Sequence, residues 1–135
     1  MPKRAAIFLA TSILGGCTLL SSEPATDRFS VFFAPYSAAL DEPAQDAIQL
    51  AADFAQRHPT QPVILLGYAA PPGPGQDAPG LSAQRNAAVQ GALVADGVRL
   101  ERISSVAVGS TDPKAAMPQV SIRRVDISVG ALPPG

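Results

Sequence analysis

Residues 62–68 (PVILLGY) form a continuous apolar run of strand length, and its flanks narrow the folds open to this chain. A run without polar alternation suits a strand buried on both faces. Before it, Ala44, Ala47, Ile48, Ala51, Phe54 and Ala55 recur at helical spacing. Asp41 is the expected cap of that helix. Pro43 falls in its first turn, where a missing N–H costs nothing. Pro59 should stop the helix at about His58. A strand is expected earlier, at residues 28–33 (RFSVFF).

After the run, residues 69–80 (AAPPGPGQDAPG) read as a loop. Ser82 is the expected cap of a second helix, with Ala83, Val89, Leu93 and Val94 near its buried side. Gly97 suits the left-handed position after its last turn. Residues 100–103 suggest one short turn and residues 104–109 (SSVAVG) a third strand. Residues 111–119 form a second proline-containing loop. Residues 120–129 (VSIRRVDISV) alternate well enough for a half-exposed fourth strand. A strand–helix–strand unit forces a crossover. The order β-α-β-α-β-β therefore predicts an α+β fold: a two-layer α/β sandwich with a mixed sheet and both helices on one face.

The amino terminus has a separate logic. Lys3 and Arg4 precede an apolar stretch at residues 5–13, and Leu14-Gly15-Gly16-Cys17 follows. This is the layout of a secretory signal, and the last four residues resemble a bacterial lipobox. The resemblance implies that Cys17 is lipidated and becomes the first residue of the mature chain. The run is too short, and too interrupted by glycine, for the roughly 20 apolar residues that span a bilayer. Each buried methylene adds about 0.8 kcal/mol, so a three-chain anchor would be effectively permanent. Thr18 replaces the aspartate that retains such lipoproteins in the inner membrane, which favours the outer membrane. The expected organisation is a signal peptide at 1–16, a lipidated tether at 17–27, a domain at 28–130 and a tail at 131–135.

Cleavage before Cys17 leaves 119 residues, one domain with room for a core. Loss of Lys3 and Arg4 moves the formal charge from −1 to −3. No basic excess remains for nucleic acid. Cys17 is the only cysteine, so no disulfide is expected within the chain. With one histidine, no metal-ligand cluster and no nucleophile–base–acid grouping, neither enzyme activity nor a cofactor is expected. His58 reads as a cation satisfying carbonyls at the end of the first helix. Arg123 and Arg124 should lie on opposite faces of the last strand. Asp126 should pair with Arg124 or with an arginine of a neighbouring strand.

Four stretches resemble the OmpA-like carboxy-terminal domain, in the order that family has them: residues 32–40 (FFAPYSAAL), 63–69 (VILLGYA), 81–89 (LSAQRNAAV) and 123–127 (RRVDI). As a small lipoprotein the chain looks most like the peptidoglycan-associated members. The resemblance implies non-covalent binding of peptidoglycan, with the domain facing the periplasm and tethering the outer membrane to the wall. An aspartate and an arginine grip the diaminopimelate of the stem peptide in that family. The aspartate answers an ammonium; the arginine answers a carboxylate through charge-assisted, often bidentate hydrogen bonds.

Arg85 stands at the arginine position, as a ligand clamp or as a surface arginine paired to a helix neighbour. Tyr68 borders the same strand end. The aspartate position holds Ala70, with the fifteen-residue step to Arg85 intact. A hydrogen bond to a charged group contributes roughly 1.5–3 kcal/mol, so its loss means about ten- to a hundredfold weaker binding. Asp77 is a candidate substitute, in a loop stiffened by Pro71, Pro72, Pro74 and Pro79. Asn86 and Ile122 also depart from the family pattern near the site. The alternative reading is a degenerate OmpA-like module that binds proteins in an envelope or secretion complex and leaves peptidoglycan alone.

Overall fold

The computed structural model describes residues 26–69, 78–109 and 122–130. The signal and lipobox segment, Ala70, Asp77, most of both proline-containing loops and the tail lie outside these residues. Along the chain come β1 (Asp27–Phe32), α1 (Glu42–Arg57), β2 (Val63–Tyr68), α2 (Ala78–Ala95), β3 (Ile103–Gly109) and β4 (Arg124–Val129). A single 3₁₀ turn at Leu100–Arg102 leads into β3. The sheet order is β1-β4-β2-β3. β4 runs antiparallel to both β1 and β2, and β2 pairs with β3 in parallel. α2 makes the crossover between the parallel strands, and α1 carries the chain from β1 past β4 to β2.

The core lies between the sheet and both helices. Val31 and Phe33 meet Val63, Leu65, Val125, Ile127 and Val129 of the central strands, under Ile48 of α1 and Val89 and Leu93 of α2. Fully burying one such large side chain stabilises by about 1.5–3 kcal/mol. Ala44, Ala51, Ala52 and Ala55 make up the rest of the buried face of α1. Small residues there let the helix sit close on the sheet, with Ile48 as its one large knob.

α1 forms as its sequence predicts. Asp41 caps it, accepting from the Ala44 N–H at 2.9 Å, and the helix ends at Arg57. Its carboxy-terminal carbonyls are satisfied by another residue than expected. Arg102 donates to the carbonyls of Ala55 (3.0 Å), His58 (2.9 Å) and Gln61 (2.7 Å). His58 instead stacks on Phe54, with ring centroids 4.4 Å apart.

α2 departs further. It begins at Ala78, one turn before the expected cap, because Pro79 falls in the first turn, where its missing N–H is harmless. Ser82 is buried inside the helix and accepts from the Gly109 N–H at 3.2 Å, tying α2 to the end of β3. Val89 and Leu93 are buried as expected, whereas Ala83 and Val94 are exposed. The polar trio Ser82, Arg85 and Asn86 is buried in their place.

β4 also differs from the half-exposed strand of the sequence reading. It is central, and every residue from Val125 to Val129 is buried. Its polar residues Asp126 and Ser128 lie on the face away from the helices. Asp126 is satisfied there by Arg124 at 3.0 Å and by the Ser30 hydroxyl at 2.7 Å. The acid pairs with its own strand neighbour, one of the two options the sequence left open.

Candidate functional site

The carboxyl ends of β2 and β3, the β1–α1 loop and the second turn of α2 meet at one end of the sheet. Gly67 makes the approach of α2 possible. A Cβ there would lie 2.6 Å from the Ser82 carbonyl and collide with the Asn86 side chain. Asn86, nearly buried, reaches past it to donate to the Val106 carbonyl of β3 at 2.9 Å. The Ala69 N–H closes the end of the sheet by donating to the Gly109 carbonyl at 3.0 Å.

Arg85 occupies the middle of this junction and is completely buried. Its Nε donates to the Ser37 carbonyl at 2.9 Å, Nη1 to the Tyr68 carbonyl at 3.0 Å and Nη2 to the Ala34 carbonyl at 3.2 Å. Its Cζ lies 5.1 Å from the centroid of the Phe33 ring, a cation–π geometry. The side chain thus joins α2 to the β1–α1 loop and to the end of β2. It is neither on the surface nor paired with a helix neighbour. Burial, and secondarily the charge of Arg123, lowers its pKa from the ordinary arginine value; an arginine nonetheless stays charged.

The loop that Arg85 grips is a tight turn. The Ser37 N–H donates to the Ala34 carbonyl at 3.2 Å, and Tyr36 between them has φ 56°, in the left-handed region that disfavours a side chain. Arg85 binds the carbonyls of both Ala34 and Ser37, so it clamps this turn from below. Tyr36 is left 58 % exposed at the rim. The sequence reading assigned Tyr36 no role; a proline followed by an aromatic in the loop before α1 was the available signal.

The other candidates separate. Tyr68 gives its carbonyl to Arg85, but its ring lies on the opposite sheet face, 4.5 Å from the Arg124 guanidinium carbon. Arg124 is therefore on the open face with Asp126, and Arg123 precedes it with its Nε buried and without an acceptor. Ala70, Asp77 and Cys17 lie outside the described residues. Among the described residues no group of three or more histidine, cysteine, aspartate or glutamate side chains could hold a metal ion. No described helix is long and apolar enough to cross a membrane.

A two-layer domain with β-α-β-α-β-β order and a helix arginine buried at the end of its sheet defines a recognisable class, and sequence comparison names it. The OmpA family profile matches residues 32–123, so this chain belongs to the OmpA family. Among solved structures, the peptidoglycan-associated lipoprotein of Burkholderia pseudomallei is 25% identical with a TM-score of 0.66, over 75% of this chain and 89% of that one. The OmpA-like domain of FopA1 from Francisella tularensis is 22% identical with a TM-score of 0.62, over 77% and 71%. The periplasmic domain of Helicobacter pylori MotB is 22% identical with a TM-score of 0.65, over 74% and 69%. No curated protein sequence matches.

Proposed function

We propose that this chain is an outer-membrane lipoprotein, anchored through Cys17, whose OmpA-like domain faces the periplasm and binds peptidoglycan without covalent chemistry. The observation that carries this reading is Arg85. It stands at the family's ligand-binding arginine, on a fold shared with a peptidoglycan-associated lipoprotein, and is held in one geometry by three carbonyls. A guanidinium whose rotamer is already fixed loses little entropy on meeting a carboxylate. Tyr68 contributes through its backbone, which positions Arg85. Such binding is mechanical tethering and needs neither a catalytic group nor a cofactor.

A specific observation also favours the alternative, a protein–protein module of an envelope or secretion complex. Ala70 stands where the family has its aspartate, and all three nitrogens of Arg85 already donate to backbone. Co-sedimentation of the full chain, in detergent, with purified sacculi separates the two readings. Retention by sacculi, increased in Ala70→Asp, is the outcome expected for a wall binder. No retention of the wild type, with retention gained in Ala70→Asp, identifies the partner module. For the anchor, Cys17→Ser should leave the protein unprocessed or release it from membranes. Normal maturation and membrane partitioning of that variant would refute lipidation at Cys17.

A further inference from the structure

The helix layer carries a groove of about 310 Å³ between α1 and α2. Leu40, Ile48, Ala92 and Ala95 make it apolar, and each side adds one carboxylate: Asp46 from α1 and Asp96 from just beyond α2. The Gln56 side chain donates to the Asp96 carbonyl at 2.6 Å, which ties the end of α2 to α1 and fixes the two walls relative to each other. The described lining includes neither Arg85 nor any residue it binds, so the groove is separate from the junction at the sheet end.

Both walls depart from what a helix alone prefers. Glu42 and Asp46 stand four residues apart on α1, where like charges destabilise a helix. Glu42 has a local reason, since it lies in the first turn beside free N–H groups. Asp46 lies one turn further in, where aspartate is a poor helix former. On α2, Gly91 lies one turn before Ala95. Glycine is among the least favourable residues in a helix interior, and a Cβ added at Gly91 would meet nothing within 4 Å. Packing against the described residues therefore gives no reason for a glycine there. Ala87, Gly91 and Ala95 recur every four residues and are exposed, so this side of α2 stands low. Local departures without an internal gain mark positions that serve something else.

The charges along the groove have one sign. α1 carries Glu42, Asp46 and Asp53, with Arg57 only in its last turn. The one charged residue of α2 is Arg85, which is buried. The ion pairs among the described residues, Arg99 with Glu101 and Arg124 with Asp126, use neither Asp46 nor Asp96. A second copy of this chain would bring acidic helices to an acidic groove, and an anionic lipid surface would be repelled in the same way. A cationic partner is complementary. The shape favours a helix, because small side chains on one wall let a third helix axis come close, and apolar grooves between helices take the apolar face of an amphipathic one.

We propose that the α1–α2 groove receives an amphipathic helix of a protein partner, with its apolar side chains over Ile48 and Ala92 and its lysine or arginine flanks reaching Asp46 and Asp96. The proposal goes beyond both readings of the sheet end and depends on neither. Asp46 and Asp96 select the charge of the partner, and Gly91 sets how closely its axis approaches.

The test is a titration of the isotope-labelled full chain, in nonionic detergent, followed by amide NMR shifts. The probes are synthetic helices roughly five turns long. One has leucines on a single face and lysines on both flanks. A second carries glutamate for lysine, and a third has the composition of the first in scrambled order. The first should shift amides around Asp46 and from Ala92 to Asp96, and should bind at least about tenfold more tightly than either of the others. The double variant Asp46→Asn, Asp96→Asn should weaken it at least about threefold, the loss of two exposed ion pairs, and added salt should weaken it likewise. Gly91→Leu should weaken it at least about tenfold by raising the low wall, while its Tm stays level or rises, because leucine is the better helix former.

No binding of the first helix, equal affinity for the glutamate or scrambled helix, shifts confined to other surfaces, or unchanged affinity in the double variant or in Gly91→Leu would each overturn the proposal. Sacculus co-sedimentation reports on the sheet end and not on the groove, so the wall reading stands or falls separately.

Discussion

The Nη1 of Arg85 donates to the carbonyl of Tyr68 at 3.0 Å, so a residue of the second helix closes the end of the second strand. The contact spans seventeen residues of sequence, including the loop between the two elements. The other two donations of the same guanidinium reach the β1–α1 loop. Three chain segments converge on one side chain, and their geometry at the sheet end is set together.

Arg85→Met should therefore act first on stability. It leaves the Ser37 and Tyr68 carbonyls without this donor and the Ala34 carbonyl with the Ser37 N–H alone, and each unsatisfied buried group costs about 1–3 kcal/mol. A loss of at least about 2 kcal/mol is expected in urea unfolding, or roughly 8–16 °C in Tm. Arg85→Lys should recover little, because one ammonium cannot span the three carbonyls. A loss below about 1 kcal/mol would mean that water replaces the arginine without strain.

Gly67→Ala should destabilise through overpacking. The added methyl would lie 2.6 Å from the Ser82 carbonyl, which is helix backbone and cannot swing aside. A cost of about 1–3 kcal/mol is expected. The double variant with Asn86→Ala should recover only part of it, since Asn86 is one of two obstructing groups. Full recovery in that double variant, measured by denaturant midpoint, would show that α2 shifts freely over the sheet.

Asp41→Ala should cost about 1 kcal/mol, the usual loss for an N-cap. Asp41→Asn should fall within a few tenths of wild type, because the Ala44 N–H needs an oxygen more than a charge. Equal losses in both variants would place the contribution in the charge at the helix terminus instead.

Arg102→Gln removes the donor to the carbonyls that close α1. Amide exchange should accelerate in the last turn of α1 and around Gln61, with a stability loss of about 1–3 kcal/mol. His58→Ala, by contrast, should leave exchange in that turn nearly unchanged. Faster exchange in His58→Ala than in Arg102→Gln would return the capping role to the histidine.

These expectations mark where sequence reasoning reaches and where it stops. α1 was legible because its signals are local: Asp41 at the start, Pro43 in the first turn and Pro59 beyond the end. α2 was misplaced by one turn because Pro79 and Gly80 look like loop residues in isolation. Its buried side was misjudged because half of that side is polar. Ser82 and Asn86 are buried because β3 satisfies them: the Gly109 N–H donates to the Ser82 hydroxyl and the Val106 carbonyl accepts from Asn86, partners 27 and 20 residues away in sequence. The position of Arg85 was legible from its motif. Its burial, the turn at Tyr36 and the exchange of roles between His58 and Arg102 were not.

The sequence alone determined the order of elements, the crossover fold and the arginine that marks the sheet end, because each follows from periodicity, punctuation or a short motif. Tertiary structure alone decided which polar groups are satisfied. Arg85 donates to three carbonyls from two distant segments, and the buried Nε of Arg123 finds no acceptor among the described residues. Hydrogen-bond satisfaction depends on which backbone groups arrive at a side chain, and that is fixed only once the sheet order β1-β4-β2-β3 has been laid down.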